Sequence, residues 1–510
     1  MRKLSNNSNS NSNTYLTTNK VEKALGTLIS NQMLGLLARM SGFKERSSEF
    51  QFAKFVRALI CFFGESRLCT IQGLWTLYKQ ISGDDIQYKP FHNKIKKESS
   101  ALYMMEVAKR LMNVVIGSCI DGKGQACLQL LRAHGLPIND IVCYDGTYWT
   151  VNEELADKYK GTRSASKPQP VDNTFDENGS QVYEKKPCAQ VGLQTEYSVK
   201  RKSFIDIVQT AATADEADYV KVLLSDPQMY LMDAGYNKHK LLKWIDECGS
   251  YYITKANSNC APKILRAYID GKEVEWFKGH ELNEHDVKTF RANSTVDLDV
   301  EFRDGLKARI VRFKGKDKKF TYILTNVKRH QLNATLVSDV YRLRWQIELQ
   351  FKQLKSGNNL LGVNTTYDSI VQLFIMGALC SNLVKRIAIE CLSRVMPDKS
   401  FSYYRTNVYC DWIGDFVKAL FARSYEKLRD ILKMLLDHNQ CYLMAKQARS
   451  KHEQHKTMDS VIYNLALSLK EKGLKQTFLG AYDPLYEKFM INLDVNDLVI
   501  PQEIALNQFY

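Results

Sequence analysis

The spacing of apolar residues changes twice along this 510-residue chain, and these changes limit the folds that it can adopt. From about Lys20 to Ala133 apolar residues recur at helical spacing, with few glycines. After Gly135 and Pro137 the pattern becomes short apolar runs bounded by turn residues, which is typical of buried strands. Helical spacing returns from about residue 400. The sequence therefore predicts an α/β core between two helical segments.

Length, composition and charge narrow the class of protein. The chain is about three times as long as a typical domain, so several folding units are expected. Hydrophobic residues make up 45% and charged residues 25%, which excludes a mostly disordered or fibrous protein. Lys and Arg total 71 against 56 Asp and Glu, and this net charge of +15 makes polyanions the first partner class to consider. The 12 cysteines contain no Cys-x-x-Cys pair, so reduced thiols are expected rather than disulfides or structural zinc.

Two segments bear on location. The Ser/Asn repeat Ser5–Asn13 lacks the apolar segment of a secretory signal and predicts a disordered tail. The longest apolar stretch, Ile370–Val384, is interrupted by Gln372, Ser381 and Asn382, which favours a buried helix over a bilayer span. We therefore expect a cytoplasmic protein.

The first helical segment contains a pattern of the size of a helix-turn-helix. It consists of Ile71–Ile81, a turn at 82–84, and Tyr88–Lys97 with a basic end. Any helical hairpin with a basic end has this pattern. DNA contact and plain helix packing both remain open here.

The core pattern predicts strands at Ile141–Tyr144 and Met229–Met232, each directly before an aspartate. Further elements are predicted as a polar surface loop at 151–187, paired strands at 191–199 and 203–208, a helical stretch at 214–224, a helix at 238–247 and a strand at 251–254. Strict alternation at 296–302 and the turn Asp304-Gly305 predict a separate β insertion at 255–319. A strand at 320–324 and helices at about 335–356 and 369–392 complete the core.

Two carboxylates share one local setting, because Asp145 and Asp233 each end a short apolar run and precede Gly146 or Gly235 within two residues. In α/β sheets ligands bind beyond the carboxyl ends of strands, and glycine lets a bulky ligand approach the backbone. Asp-Gly is also the commonest turn signal. Each aspartate alone therefore fits a turn as well as a ligand site.

A row of polar side chains lies on the predicted helix over 341–355. In a regular helix Tyr341, Arg344, Glu348, Lys352 and Lys355 fall within an arc of roughly 80°. One interpretation is a solvent face linked by i,i+4 ion pairs. The other is a catalytic face: with Asp145 and Asp233, Glu348 would complete a set of carboxylates for two-metal phosphoryl transfer.

The ligand chemistry of that second interpretation favours Mg²⁺. Hard oxygen ligands without Cys or His suit two Mg²⁺ ions, with Mn²⁺ as a substitute. Arg344, Lys352 and Lys355 would hold DNA phosphates beside the metals, and Tyr341 would donate to a phosphate or pack against a sugar.

The string YRLRWQIELQFKQLK at 341–355 resembles the Tyr-Arg-Glu-Lys signature of DDE transposases of the bacterial insertion-sequence family four, with two, three and six intervening residues. TYILTN at 321–326, YDGT at 144–147 and MDAGY at 232–236 are similar to the blocks around that family's acidic residues. The resemblance covers roughly residues 140–360.

The resemblance implies an α/β RNase H-like catalytic core interrupted by a β-rich insertion and flanked by N- and C-terminal helical domains. It implies the catalytic and metal-binding triad Asp145, Asp233 and Glu348, and DNA contacts by the other signature residues. Members use an aromatic ring to hold a flipped base, for which the candidates are Trp345 and Trp276; both also fit as packing residues. Well-known members excise the element through a DNA hairpin.

On this basis the sequence predicts a cut-and-paste DNA transposase with endonuclease activity, acting as a homodimer on paired double-stranded terminal repeats and joining them to target DNA. A catalytically silent DNA-binding relative and an RNase H-like nuclease without strand transfer are the alternatives. The predicted segments are 1–18 (tail), 19–135 (DNA-binding helices), 136–255 (core, first part), 256–319 (insertion), 320–399 (core, second part) and 400–510 (C-terminal helices).

Overall fold

The computed structural model describes most of the chain between residues 30 and 395 and parts of the C-terminal region. The described residues are 30–44, 50–64, 70–119, 122–164, 169–184, 187–256, 261–282, 294–314, 320–357, 360, 364–395, 401, 413–421, 424, 426–431 and 458–472. The predicted tail at 1–18 and most of the predicted segment 400–510 lie outside them. The domain boundaries stay predictions.

Among the described residues, six helices precede the first strand: α1 (Asn31–Met40), α2 (Phe52–Gly64), α3 (Ile71–Ser82), α4 (Tyr88–Ile95), α5 (Glu98–Ser118) and α6 (Gly122–Ala133). Helix α3 ends at Gly83, whose φ of +72° favours glycine. The indole N–H of Trp75 donates to the carbonyl of Ile86 at 2.9 Å, which ties the turn back onto α3. Both helices of the predicted helix-turn-helix pattern are therefore confirmed, whereas DNA contact by them remains a prediction.

The strands are β1 (Asp140–Thr150), β2 (Lys160–Ser164), β3 (Gln169–Phe175), β4 (Gln181–Glu184), β5 (Pro187–Ser198), β6 (Ser203–Ala211), β7 (Gln228–Met232), β8 (Tyr251–Lys255), β9 (Lys263–Ile269), β10 (Lys272–Glu273), β11 (Val296–Glu301), β12 (Lys307–Lys314) and β13 (Phe320–Thr325). All except β3 and β4 join one mixed sheet of 11 strands, in the order β10-β9-β11-β12-β13-β8-β7-β1-β5-β2, with β6 also paired to β5. Strand β7 pairs in parallel with β1 on one side and with β8 on the other.

The predicted insertion is rich in strands but does not form a sheet of its own. Strand β12 pairs along its length with β13, and β13 pairs with β8 of the core. The backbone hydrogen bonds therefore run without a break from the insertion into the core. The alternating residues at 296–302 predicted strands correctly, but alternation contains no information on which neighbour a strand pairs with.

Two further predictions are wrong. Residues 151–187 contain strands β2, β3 and β4 rather than a loop; these strands are largely polar, and β3 and β4 pair only with each other, so apolar alternation was absent. Residues 214–224 form only a 3₁₀ turn, Glu216–Tyr219. Val220 and Val222 are buried at a two-residue spacing, as an extended segment requires.

Helices cover the sheet on both faces. Along β1, Ile141 and Cys143 pack into a large core with the helices, whereas Val142 and Tyr144 pack into a second core on the opposite face. The second core includes α7 (His239–Glu247). The other helices in the part of the chain that the structure describes are α8 (Ala334–Tyr341), α9 (Trp345–Lys352), α10 (Asp368–Val395), α11 (Ile413–Phe421) and α12 (Met458–Glu471).

Helix α10 is the central helix of the larger core and packs against α2 and α5. A Cβ at Gly377 would lie 2.0 Å from Cδ2 of Leu59, so glycine allows α2 to approach α10 closely. In the part of the chain that the structure describes, Asp368–Glu390 is the one stretch long and apolar enough to cross a membrane, and 94% of its most apolar window is buried within the fold. The predicted buried helix is thus confirmed.

Candidate active site

The two predicted aspartates lie at one edge of the sheet, where two parallel strands separate. The pairing of β1 with β7 ends at Cys143 and Leu231, and beyond this point β1 continues to Thr150 paired only with β5. Asp145 follows the last pair on β1, and Asp233 follows β7 directly. Asp145 therefore lies inside a long strand and not at a strand end as predicted, but both side chains lie beyond the same carboxyl edge.

Hydrogen bonds hold the backbone of both aspartates. The hydroxyl of Thr195 on β5 donates to the carbonyl of Asp145 at 3.0 Å, and that of Thr254 on β8 donates to the carbonyl of Asp233 at 2.7 Å. The Oδ1 atom of Asp233 also accepts the N–H of Gly235 at 2.7 Å. The neighbouring strands thus hold the backbone of both aspartates in place, which favours a preorganised site.

The segment 341–355 is not the continuous helix predicted. Helix α8 ends at Tyr341, a 3₁₀ turn spans Arg342–Arg344, α9 follows, and a π-helical turn spans Gln353–Gly357. No proline or glycine lies within 341–355 to announce this break. The thiol of Cys143 on β1 donates to the carbonyl of Leu343 at 3.9 Å, so the tightened turn is joined to the strand that bears Asp145.

Arg344 connects the sheet edge to the helix. Its guanidinium lies 2.9 Å from Asp145 Oδ2 and also pairs with Glu348 one turn later. Arg344 also hydrogen-bonds to the hydroxyl of Tyr341. The structure therefore brings Asp145, Arg344, Glu348 and Tyr341 together, with Asp233 close enough to act electrostatically on Asp145.

A fourth carboxylate, Glu216, lies between the two aspartates and was missed by the sequence analysis. The position of a Cβ on Gly146 is 2.3 Å from Glu216 Oε1, and that of a Cβ on Gly235 is 3.7 Å from Glu216 Oε2. Tyr236 also hydrogen-bonds to this carboxylate. The sequence analysis placed residue 216 within a predicted helical stretch at 214–224, where no pattern indicated a site residue.

The charges at this edge act strongly on one another. Burial, together with the negative charges of Asp233, Glu216 and Glu348, raises the pKa of Asp145 to about 7 despite Arg344. Burial and the charge of Asp233 raise the pKa of Glu216 as well. Burial alone would lower the pKa of the Arg344 guanidinium. The attraction of Asp145, Tyr341 and Glu348 is larger than this effect and raises the pKa. The carboxylates are thus short of positive charge.

The donor set fits a hard divalent cation in its chemistry. Among the residues that the structure describes, no three Asp, Glu, His or Cys side chains already close on one point as a metal site. The carboxylates of Asp145, Asp233, Glu216 and Glu348 nevertheless supply only oxygen, as Mg²⁺ and Mn²⁺ require. Next to them the Oε1 atom of Gln194 is buried without a hydrogen-bond partner in the described structure.

The two signature lysines lie at the end of α9 and in the π-helical turn that follows it. Lys355 donates to the carbonyl of Tyr148 at 2.8 Å, and its ammonium lies 5.7 Å from the ring centroid of Trp149. Burial lowers the pKa of this lysine. Lys352 is exposed at the end of α9. Lys355 therefore contacts residues that follow Asp145 on β1.

The two candidate tryptophans are accessible. Trp345 at the start of α9 is 54% exposed, and Trp276 is 64% exposed. Burial in a core, which the sequence left open for both, is therefore excluded. Trp276 lies in a turn beside β9, which five strands separate from β1 in the sheet. Trp345 therefore directly follows Arg344 in the chain, whereas Trp276 lies in the insertion.

Known proteins similar to this chain are transposases. Residues 137–383 match the family model described as a transposase DDE domain. A putative transposase, y4zB, of Sinorhizobium fredii is 25% identical over 173 residues, which cover 34% of this chain and 46% of that protein. The transposase for insertion sequence element IS1151 of Clostridium perfringens is 22% identical over 363 residues, covering 58% of this chain and 72% of that protein.

The chain thus spans less than half the length of the first of these relatives. Among solved structures, the piggyBac transposase synaptic complex with hairpin DNA is similar over 89% of this chain and 85% of that chain, at 10% identity and a TM-score of 0.35. This score is too low to establish a shared fold. The family model and the two relatives together support a transposase of the DDE type.

Proposed function

We propose that this protein is a DNA transposase that cleaves insertion-sequence ends and joins the freed 3′-hydroxyl to target DNA by two-metal phosphoryl transfer. The observation that carries the proposal is the meeting of Asp145, Asp233 and Glu348 at one sheet edge. They come from β1, the end of β7 and α9, and Arg344 links the first of them to the last. Strand transfer distinguishes this function from that of a simple nuclease with the same chemistry.

The acidic side chains have a defined task in this proposal. Asp145, Asp233 and Glu348 would hold the divalent cations, Mg²⁺ or Mn²⁺. When bound, such cations activate the attacking oxygen and stabilise the leaving oxygen. Arg344 orients Asp145 and Glu348 through its guanidinium. The hydroxyl of the partly buried Tyr341, with a pKa of about 12, stays protonated and able to donate.

The basic and aromatic side chains face the DNA in this proposal. Lys352 and Lys355 lie along the surface next to the site and would contact phosphates, which accounts for part of the net charge of +15. The exposed ring of Trp345 would stack on a base, and Trp276 would reach the DNA from the insertion. A homodimer on paired terminal repeats, an RNase H-like core and excision through a DNA hairpin belong to the same proposal.

Cleavage of end DNA tests the acidic triad. The substrate is a labelled duplex that carries the DNA flanking this gene, incubated with Mg²⁺, and nicked, hairpin and joined products are resolved. We expect wild type to cut at a defined end and Glu348→Gln to lose at least about 10³-fold in rate, equivalent to about 4 kcal/mol in the activation barrier. Binding to the duplex should change little, because no phosphate contact is removed.

Glu106→Gln is the matched control, since Glu106 is also a helical glutamate that pairs with a basic residue of its own helix, Lys109, at 3.2 Å. It should cleave like wild type. Full cleavage by Glu348→Gln would exclude the triad assignment. Cleavage without any joined product would favour a nuclease, and binding without cleavage by wild type in Mg²⁺ or Mn²⁺ would favour a DNA-binding relative.

A further inference from the structure

The carboxylate of Glu216 connects the segments that follow the two aspartates. One of its oxygens lies against Gly146, the residue after Asp145, and the other faces Gly235, the second residue after Asp233. A side chain larger than glycine at 146 would occupy the place of the Glu216 oxygen, since its Cβ would lie 2.3 Å from that atom. The absence of a side chain at 146 thus gives Glu216 access to the sheet edge.

A second oxygen converges on the same place. The position of a Cβ on Gly146 is 2.8 Å from Oε1 of Gln194, a residue of β5 that is only 7% exposed. The Nε2 atom of this side chain donates to the hydroxyl of Thr210 at 3.4 Å. The Oε1 atom is buried and has no hydrogen-bond partner among the residues that the structure describes.

The Oε1 atoms of Glu216 and Gln194 therefore lie close together, and both can only accept hydrogen bonds. The one on Gln194 has no donor in the described structure. Burial of an unpartnered carbonyl oxygen is unfavourable, so native proteins avoid it unless a ligand or water satisfies the oxygen. A cation satisfies a carboxylate and an amide oxygen at once. Mg²⁺ and Mn²⁺ prefer such oxygens.

We propose that Glu216 and the side-chain oxygen of Gln194 take part in binding the divalent cation at Asp145 and Asp233, so that Glu216 is a fourth acidic residue of the site. This inference rests on the proposed function, because it concerns the cations of the same reaction. It adds a glutamate from the turn between β6 and β7 and an amide from β5 to the three predicted carboxylates.

Glu196 provides a matched comparison. It lies two residues from Gln194 on β5, borders the same small cavity as Glu216 and is partly buried. Its carboxylate, however, is hydrogen-bonded by Tyr144 and lies near Asp206 and Lys221. No atom of Glu196 is among the three atoms nearest to a Cβ placed on Gly146. None lies within 4 Å of a Cβ placed on Gly235. A cation held as proposed would not depend on it.

Calorimetric titration of the full-length, DNA-free protein with Mn²⁺ alone tests the proposal. We expect Glu216→Gln to weaken Mn²⁺ binding at least about tenfold, which corresponds to about 1.4 kcal/mol. Glu196→Gln should bind like wild type. Gly146→Ala should also weaken binding, because its methyl group takes the place of the Glu216 and Gln194 oxygens while every charge is retained. Thermal unfolding in EDTA verifies that each variant is folded.

The outcomes separate this proposal from the proposed function. If Glu216→Gln keeps the Mn²⁺ affinity of wild type while Asp145→Asn and Asp233→Asn lose it, the role of Glu216 is overturned and the triad stays intact. The same result is expected if the Gln194 amide donates a hydrogen bond to Glu216 instead of contributing its oxygen to a cation. Equal weakening by Glu196→Gln would overturn it too, as would an absence of Mn²⁺ binding by wild type. The DNA cleavage assay with Glu348→Gln decides the proposed function independently.

Discussion

Two groups of charged side chains lie in the same sheet, and they differ in charge balance. In the insertion, Asp297 and Asp299 face Arg309 and Arg329, with Arg309 2.7 Å from Asp297 and Arg329 2.9 Å from Asp299. The remaining donors of Arg309 reach the carbonyls of Val327 and Leu332. Two negative charges thus meet two positive charges with their hydrogen bonds satisfied.

At the carboxyl edge, four carboxylates share the charge of Arg344. The consequence appears in the pKa values. Burial alone would raise the pKa of Asp297, but hydrogen bonds from Arg309 and Arg329 lower it. Burial and neighbouring carboxylates raise the pKa of Asp145 to about 7, although Arg344 lies 2.9 Å away.

The difference shows how to distinguish a structural ion pair from a site. A buried Asp–Arg contact is present in both groups, so the contact alone has no functional meaning. An excess of like charge is costly for folding, and a protein that keeps one has a use for it, such as binding a cation. By this criterion the insertion group is a structural set of ion pairs, and the edge group has the charge excess that the proposed cation would relieve.

The largest expected effect is in the balanced group. Asp297→Ala leaves Arg309, which is only 4% exposed, without its carboxylate, and removal of one partner of a buried pair costs about 3–5 kcal/mol. We expect the free energy of unfolding, measured with urea, to fall by that amount. A loss below about 1 kcal/mol would show that this group does not hold the sheet.

At the edge group we expect the opposite sign. Asp145→Asn removes one of the crowded charges and should raise the free energy of unfolding by at least about 1 kcal/mol at pH 8 in EDTA. The pKa shift, which already includes the attraction of Arg344, corresponds to an upper limit of about 4 kcal/mol. The measurement is again urea unfolding.

The pH dependence of that gain is also determined. The folded pKa of Asp145 is about 7 and its unfolded pKa about 4, so the stability from the protonated carboxyl is present below pH 4 and is lost as the pH rises through 7. The advantage of the asparagine should therefore grow between pH 4 and 7 and stay constant above. Destabilisation by Asp145→Asn at pH 8 would contradict the charge excess.

The smallest effect is expected for an exposed pair in the insertion. Arg303 and Glu281 lie 3.4 Å apart, with their side chains 86% and 53% exposed. Water screens such a pair, so Glu281→Ala should change the free energy of unfolding by less than about 1 kcal/mol. It is the control for Asp297→Ala, and an equal loss in both variants would mean that burial does not distinguish them.

Much of the sheet was predictable from local pattern. The strands at 141–144 and 229–232 and the helix at 369–392 are confirmed because each contains enough apolar residues that it must be largely buried. The strands at 160–184 were not predicted, because polar strands that pair at the edge or with each other lack that pattern. The break after Tyr341 was also not visible, since nothing in 341–355 disfavours a helix.

The sequence by itself determined which carboxylates stand beside buried strands and which basic residues follow Glu348 at helical spacing, because both depend on local periodicity. Only the tertiary structure decided that Arg344 reaches Asp145 across 199 positions, and that Glu216 and Gln194 meet beside Gly146. These contacts join residues that are distant in the chain or lie on segments of irregular backbone. Their proximity results from how the strands pair and the turns pack, and no local pattern records it.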